Sequence, residues 1–261
     1  MDGKVSSPYG WWLPLNASSY GADIDRLFYI VHIFMAILFV GWGIYFVYCL
    51  IAFRQKPGAT PEYQAGHYKG VATIEGAITV FDIALVAFFG VPIWGHIKGP
   101  EQFPKPHESV VIEVVAEQFA WNVRYPGKDG VFGKTDLSLV SSENAIGLDR
   151  KDQAAKDDLT MTNQMQVPIG KPVLVYLSSK DVIHSFFVPV LRQKQDAIPG
   201  MKTPLWFTAT QTGEFEIACA QLCGLGHYRM RGAIHLKTPE AYETFLKEEE
   251  KILKESQEET P

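Results

Sequence analysis

Residues 27–53 read LFYIVHIFMAILFVGWGIYFVYCLIAF, an unbroken run without one charged side chain. About 20 such residues cross the hydrocarbon core of a bilayer as a helix. A helix of this length, apolar on every side, is expected to span a membrane rather than to fill a soluble core. Asp25 and Arg26 precede the run and Arg54 and Lys56 follow it, so polar stops flank both ends. A second run, 74–94 (IEGAITVFDIALVAFFGVPIW), carries Glu75 and Asp82. Charges within a span are costly and turn toward protein or water rather than lipid. Seven residues apart, these two share one helix face. The segment between the runs has Arg54, Lys56 and Lys69 against Glu62. Cytoplasmic segments carry an excess of positive charge, which places this one inside. The sequence thus predicts a helical hairpin over 27–97, with spans at about 27–53 and 74–94 in contact with membrane lipid. The N-terminal segment 1–26 and everything after the hairpin face outward. Residues 1–26 include Asp2, Asp23 and Asp25 and lack a basic stretch followed by an apolar core. No signal peptide is therefore expected to be removed.

The texture changes after the second run. VVIEVVA, PVLVYL, PLWFTA and EFEIACA are short β-branched and aromatic runs separated by Pro, Gly, Asn and Asp. They predict an antiparallel sandwich or barrel over 98–237. Residues 127–163 show no period and are expected to form a long loop between strands. Thr238-Pro239-Glu240 reads as a helix start, Thr capping and Pro in the first turn. The segment that follows, to the end of 238–261, is so charged that a solvated surface helix and tail is expected. The formal net charge is -5. That excludes nucleic acid as a partner, since phosphate binding needs a concentrated basic patch, and it suits a basic protein partner.

Residues 219–230 read CAQLCGLGHYRM, four soft or imidazole ligands within one loop: Cys219, Cys223, His227 and Met230. Thiolate and thioether select copper, and imidazole suits it too. Gly224 and Gly226 permit the tight backbone such a fold needs. A single-copper electron-transfer site uses two His, one Cys and a weak Met, whereas two cysteines stand here. Two thiolates can bridge two copper ions, each then needing an imidazole. His227 supplies one; His184, inside SSKDVIHSFFVP, is the natural second. A Cys219–Cys223 disulfide leaves His227 and Met230 unexplained, and a structural zinc site rarely has Met at this spacing. For His184 the plain alternative is a core histidine bonded to backbone.

The cysteine loop, the DVIH strand, the DAIPG turn and the two-helix hairpin together resemble subunit II of haem-copper cytochrome c oxidases. The resemblance runs from about Ala22 to Leu236. It implies a two-helix transmembrane hairpin followed by a cupredoxin-like, Greek-key β domain with a dinuclear copper centre, CuA. Carried over by position, the ligands are His184 and His227, bridging Cys219 and Cys223, axial Met230, and Gln221 through its backbone carbonyl. The implied role is to take electrons from a cytochrome c and pass them to haem in subunit I, with no oxygen-reducing site in this chain. Glu75 matches a glutamate at the mouth of a proton pathway into subunit I. Asp181 matches an acidic position used in docking cytochrome c. At Gln118-Phe119-Ala120-Trp121 the family usually has Gln-Trp-x-Trp, whose first Trp takes in electrons. Phe119 here keeps the packing surface and loses the indole N–H. Many members have Glu where Gln221 stands. That side chain helps hold magnesium at the subunit I interface, and an uncharged amide is a poor substitute, so no strong magnesium ligand is expected here. No C-x-x-C-H haem motif occurs. The competing reading is a membrane-tethered copper carrier. Carriers favour exchangeable, often Met-rich sites, and this chain has six Met. Nitrous oxide reductase needs a further catalytic domain, and a quinol-oxidase counterpart lacks the ligands present here.

Overall fold

The computed structural model describes residues 12–58, 60 and 69–258, with the side chain of Lys69 left undescribed. Glu62 and His67, in the segment expected to face the cytoplasm, lie outside the described residues, as does Asp2. The chain forms two units: residues 23–99, and a second that joins the N-terminal segment to residues 100 onward.

The first unit is helical. α1 (Gly21–Ala52) contains the first apolar run. α2 (Lys69–Leu85) continues through a π turn (Val86–Gly90) into α3 (Val91–Lys98), making one rod over Gly70–Lys98. The π turn has a local cause. Pro92 has no N–H to give and its ring crowds the carbonyl of the preceding turn. The widened turn relieves this, with Val91 N–H donating to the Val86 carbonyl. Both rods are long and apolar enough to cross a membrane. Phe34 of α1 meets Phe81 of α2 with ring centroids 4.2 Å apart. Phe39, Phe53 and Phe88 point away from the hairpin and are at least three-quarters exposed, which suits lipid and not water.

The second unit is a β sandwich of two five-stranded sheets. The strands are β1 (Val110–Glu117), β2 (Ala120–Tyr125), β3 (Leu159–Thr162), β4 (Gln164–Pro168), β5 (Pro172–Ser179), β6 (His184–Val188), β7 (Gln193–Ala197), β8 (Thr203–Thr208), β9 (Gly213–Cys219) and β10 (Arg231–Lys237). One sheet runs β3-β2-β1-β5-β8 and the other β4-β10-β9-β6-β7. The expected all-antiparallel pairing is corrected. β1 pairs parallel with β5, and β10 parallel with β4. Alternate residues of each strand fill the core, such as Ile112, Val114 and Ala116 of β1 and Val173, Val175 and Leu177 of β5.

Three further features differ from expectation. The loop expected over 127–163 ends in a strand, β3, paired with β2. The loop is also fastened by a buried ion cluster. Arg124 bonds Asp158 through Nε (3.0 Å) and Nη2 (2.5 Å), and Glu113 at 3.2 Å, and it also donates to the Gly133 carbonyl. The final helix, α4 (Pro239–Glu258), is not solvated all round: Tyr242 and Phe245 are buried, and Phe245 meets Tyr125 at 6.0 Å. Thr238 caps α4 as the sequence predicts, its Oγ1 accepting from Ala241 N–H. Lastly, the segment before α1 is bound to the sandwich. Ala17 N–H donates to the Val190 carbonyl (2.8 Å) and Ser19 N–H to the Thr208 carbonyl (3.0 Å). Arg192 reaches back to the carbonyls of Pro14 and Leu15.

Candidate metal centre

Strand ends and one loop assemble the centre at one end of two interior strands of the second sheet. His184 opens β6 and Cys219 closes β9, and register places Cys219 opposite Phe186. The β9–β10 connection then turns back on itself. Ala220 N–H donates to the Ser185 carbonyl (2.9 Å), and Cys219 N–H to the Met230 carbonyl (3.2 Å). Residues 219 and 230 are thereby clamped together, and the ligand types between them converge.

The nitrogen of His184 and the sulfurs of Cys219 and Cys223 lie within 4.8 Å of one another. Cys219 Sγ is 3.9 Å from Cys223 Sγ and 3.1 Å from the Gln221 carbonyl oxygen. His227 Nδ1 lies 3.6 Å, and Met230 Sδ 3.7 Å, from Cys223 Sγ. The structure therefore brings together all six residues singled out as metal ligands, with His227 and Met230 reaching the cluster through Cys223.

The electrostatics separate the two thiols. Burial works against ionising Cys219, but the imidazole of His184 and the backbone N–H of Ser185 outweigh it and bring its pKa down to about 6. Burial and the neighbouring charge of Cys219 push Cys223 up to about 11. Burial also opposes protonation of His184, yet the facing Cys219 sulfur and Asp181 carboxylate leave its pKa raised. Asp181 Oδ1 sits 2.8 Å from His184 Nε2, so the carboxylate fixes the ring. The same carboxylate accepts from the N–H groups of Gln118 (2.7 Å) and Val182 (2.6 Å). These bonds outweigh its burial and hold its pKa below the usual carboxylate range.

His184 itself is fully buried, and its Nδ1 has no hydrogen-bond partner. Buried polar atoms are almost always satisfied. A buried imidazole nitrogen without a partner beside two sulfurs, with a thioether 3.7 Å from the second of them, fits a soft metal ion, and thiolate with imidazole fits copper.

Sequence reasoning passed over the support beneath the loop. Gln118 Nε2 donates to the Cys223 carbonyl at 2.6 Å. The Phe119 ring fills the space beside both loop glycines: a Cβ at Gly226 would fall 2.4 Å from it. Gly224, at φ +132°, has a backbone that L side chains rarely adopt. The signal was present in the Gln-Phe-Ala-Trp stretch, but nothing local says what it packs on. Phe119 is half-buried with the Arg229 guanidinium 5.9 Å above its ring. Trp121 is fully buried, 6.2 Å from the His184 ring and 5.4 Å from Phe186. Leu222, Leu225 and Tyr228, at the surface of the loop, are at least three-quarters exposed. Glu75 belongs to the helical unit and takes no part in this cluster; Thr79 Oγ1 donates to its backbone carbonyl.

Comparison with known proteins bears on this arrangement. The profile of the family described as cytochrome c oxidase subunit II, periplasmic domain, matches residues 110–237. The alternative cytochrome c oxidase subunit 2 of Bradyrhizobium diazoefficiens is 34% identical over 248 residues, covering 93% of this chain and 85% of that one. Cytochrome c oxidase subunit 2 of Cereibacter sphaeroides is 25% identical over 250 residues, covering 92% and 80%. Among solved structures, the periplasmic domain of subunit II of cytochrome oxidase of Bradyrhizobium japonicum aligns with 29% identity and a TM-score of 0.42, over 57% of this chain and 98% of that one.

Proposed function

The chain belongs to the cytochrome c oxidase subunit II family, and on that premise we propose that it receives electrons for a haem-copper oxidase at a dinuclear CuA centre. It is a membrane subunit of an oxidoreductase complex. The observation that carries the proposal is the buried, unpartnered Nδ1 of His184 facing the paired sulfurs of Cys219 and Cys223.

The two thiolates, the imidazoles of His184 and His227, the thioether of Met230 and the backbone carbonyl of Gln221 are the proposed ligands. A copper pair held there supplies a one-electron store shared between two ions. The protein's own contribution is to fix the donors beforehand. Asp181 holds the His184 ring, and the clamp between 219 and 230 sets the loop. Trp121 packs edge-on against the His184 ring and is itself backed by Phe186, so the imidazole sits away from water. A site so constrained has little to rearrange as charge comes and goes.

Cytochrome c is the proposed donor. Of the two aromatic candidates for receiving the electron, Phe119 reaches the surface and Trp121 lies behind it. Asp181 keeps about a third of its side chain exposed beside the centre, and its proposed docking role uses that face. Haem in subunit I is the proposed acceptor, with oxygen reduction carried out there and not in this chain. Two spans return the chain to the side of the membrane from which it entered. Charge in the intervening segment makes that the outer side. Glu75, near the start of the second rod, then lies toward the inner face, where a proton pathway would begin. A copper carrier is the weaker reading, since burial of His184 and Cys223 opposes ready exchange.

The test is electron paramagnetic resonance with copper quantification on the full chain in detergent. One electron shared by two equivalent spin-3/2 nuclei gives seven hyperfine lines, with two coppers per chain. Four lines with one copper would overturn the dinuclear reading.

A further inference from the structure

The loop that carries Cys219, Cys223, His227 and Met230 has one formal charge, and it is a cation. Within residues 219–230 only Arg229 carries it. Arg229 is exposed, and among the described residues no carboxylate pairs with its guanidinium. The guanidinium instead lies 5.9 Å over the Phe119 ring. Phe119 is the aromatic candidate that reaches the surface, so an unpaired positive charge stands where an electron is proposed to enter. The rest of the loop surface is apolar, with Leu222, Leu225 and Tyr228 exposed.

The acids around the β1–β2 turn are already engaged. Glu117 is ion-paired with Lys180 and accepts from Asn122 Nδ2 (2.8 Å). Asp181 is bonded to His184 and to the Gln118 N–H. The chain's net charge of -5 lies mostly elsewhere: α4 holds seven Glu against three Lys, a net charge of -4. The seven residues of β10, roughly 23 Å of strand, separate the start of α4 from the loop. At physiological salt the Debye length is about 8 Å, so charge at that distance is largely screened at the loop. The total charge suits a basic partner; the local charge at the entry point reverses that preference.

Charge around an interface decides which partner is steered in and how fast. A ring of lysines meets repulsion at Arg229 and little free acid to offset it. A carboxylate there gains a charge-assisted bond to the guanidinium and disturbs no existing pair. We infer that Arg229 selects the electron donor, favouring a c-type cytochrome whose exposed haem edge is rimmed by acidic rather than lysine side chains. In the complex a donor carboxylate meets the Arg229 guanidinium beside Phe119. The donor's haem iron passes from iron(II) to iron(III) as its one electron is taken up at the centre. The inference rests on the copper reading of the site and specifies the partner for it.

The test uses the full copper-loaded chain in detergent. Its reduced centre is mixed with hexacyanoferrate(III), an anion, or with tris(phenanthroline)cobalt(III), a cation, each of which takes up one electron. The native rate with hexacyanoferrate(III) should fall about threefold or more between about 10 mM and about 300 mM salt, while the rate with the cobalt complex rises. Arg229→Gln should flatten both dependences, and Arg229→Glu should reverse them. Lys171→Glu, the same change of charge at the far end of β5, should keep the native pattern. At low salt an acidic c-type cytochrome should reduce the oxidised native centre about tenfold faster than a lysine-rich one, with the order reversed in Arg229→Glu. Copper content and the electron paramagnetic resonance spectrum, taken before mixing, judge the copper reading separately. A loaded native chain whose rate with the cobalt complex falls with salt overturns the inference. So does an Arg229→Glu chain with a native spectrum and native salt dependences.

Discussion

At the scale of single residues, the centre is governed by which groups carry charge. Cys219, at about 6, is largely thiolate at neutral pH, and Cys223, at about 11, is a thiol. The thiolate is the nucleophile. In metal-free protein at pH 7, iodoacetamide should therefore label Cys219 first, with Cys223 lagging by at least tenfold. Lowering the pH through 6 should slow Cys219 as its thiolate is protonated. Peptide mapping by mass spectrometry reads both rates, and equal labelling at pH 7 would contradict this asymmetry. The residue types were legible from the sequence, because Cys, His and Met within twelve positions form a local pattern. The contacts that tune them were not. Asp181 and Gln118 meet the loop from the β5–β6 and β1–β2 turns, and no sequence spacing announces that meeting.

At the scale of elements, α4 illustrates what a charged sequence conceals. Most of its Lys and Glu face solvent, while Tyr242 and Phe245 seat one stripe on Tyr125 and the adjoining strands. Lys237 Nζ also lies 5.1 Å over the Phe245 ring. Truncating a buried Phe costs about 3–5 kcal/mol. Phe245→Ala should lower the thermal midpoint of the β unit by several degrees in calorimetry. Removing the exposed pair Lys251–Glu255 should change it little, since exposed ion pairs are worth about 0–1 kcal/mol. The start of α4 was readable because a cap and a proline act on the nearest turn. Its anchoring was not, because two aromatic residues in a run of Lys and Glu are too few to give a clear period.

At the scale of the whole molecule, the segment before α1 belongs to the sandwich that follows the hairpin. Tyr20 is buried and its hydroxyl donates to the Trp206 carbonyl, with Gln193 beside it. A chain beginning at residue 100 loses these contacts. Net hydrogen bonds contribute about 1 kcal/mol each and a buried aromatic about 2, so such a chain should be less stable by roughly 2–4 kcal/mol. Denaturant unfolding with and without residues 12–20 supplied in the same chain measures the difference, and equal stabilities would show the strap to be idle. The sequence by itself determined the membrane hairpin, the β texture, the ligand loop and the family, because apolar length, alternation and motif spacing are written in neighbouring residues. Only the tertiary structure decided the parallel pairings β1–β5 and β10–β4, the strand β3, the Arg124–Asp158 fastening, the N-terminal strap and the seat of Phe119 beneath the loop. Each of these joins residues far apart in the chain. Such pairings are settled by which register buries the most apolar surface while leaving the fewest polar groups unsatisfied, and that balance is struck only in the folded whole.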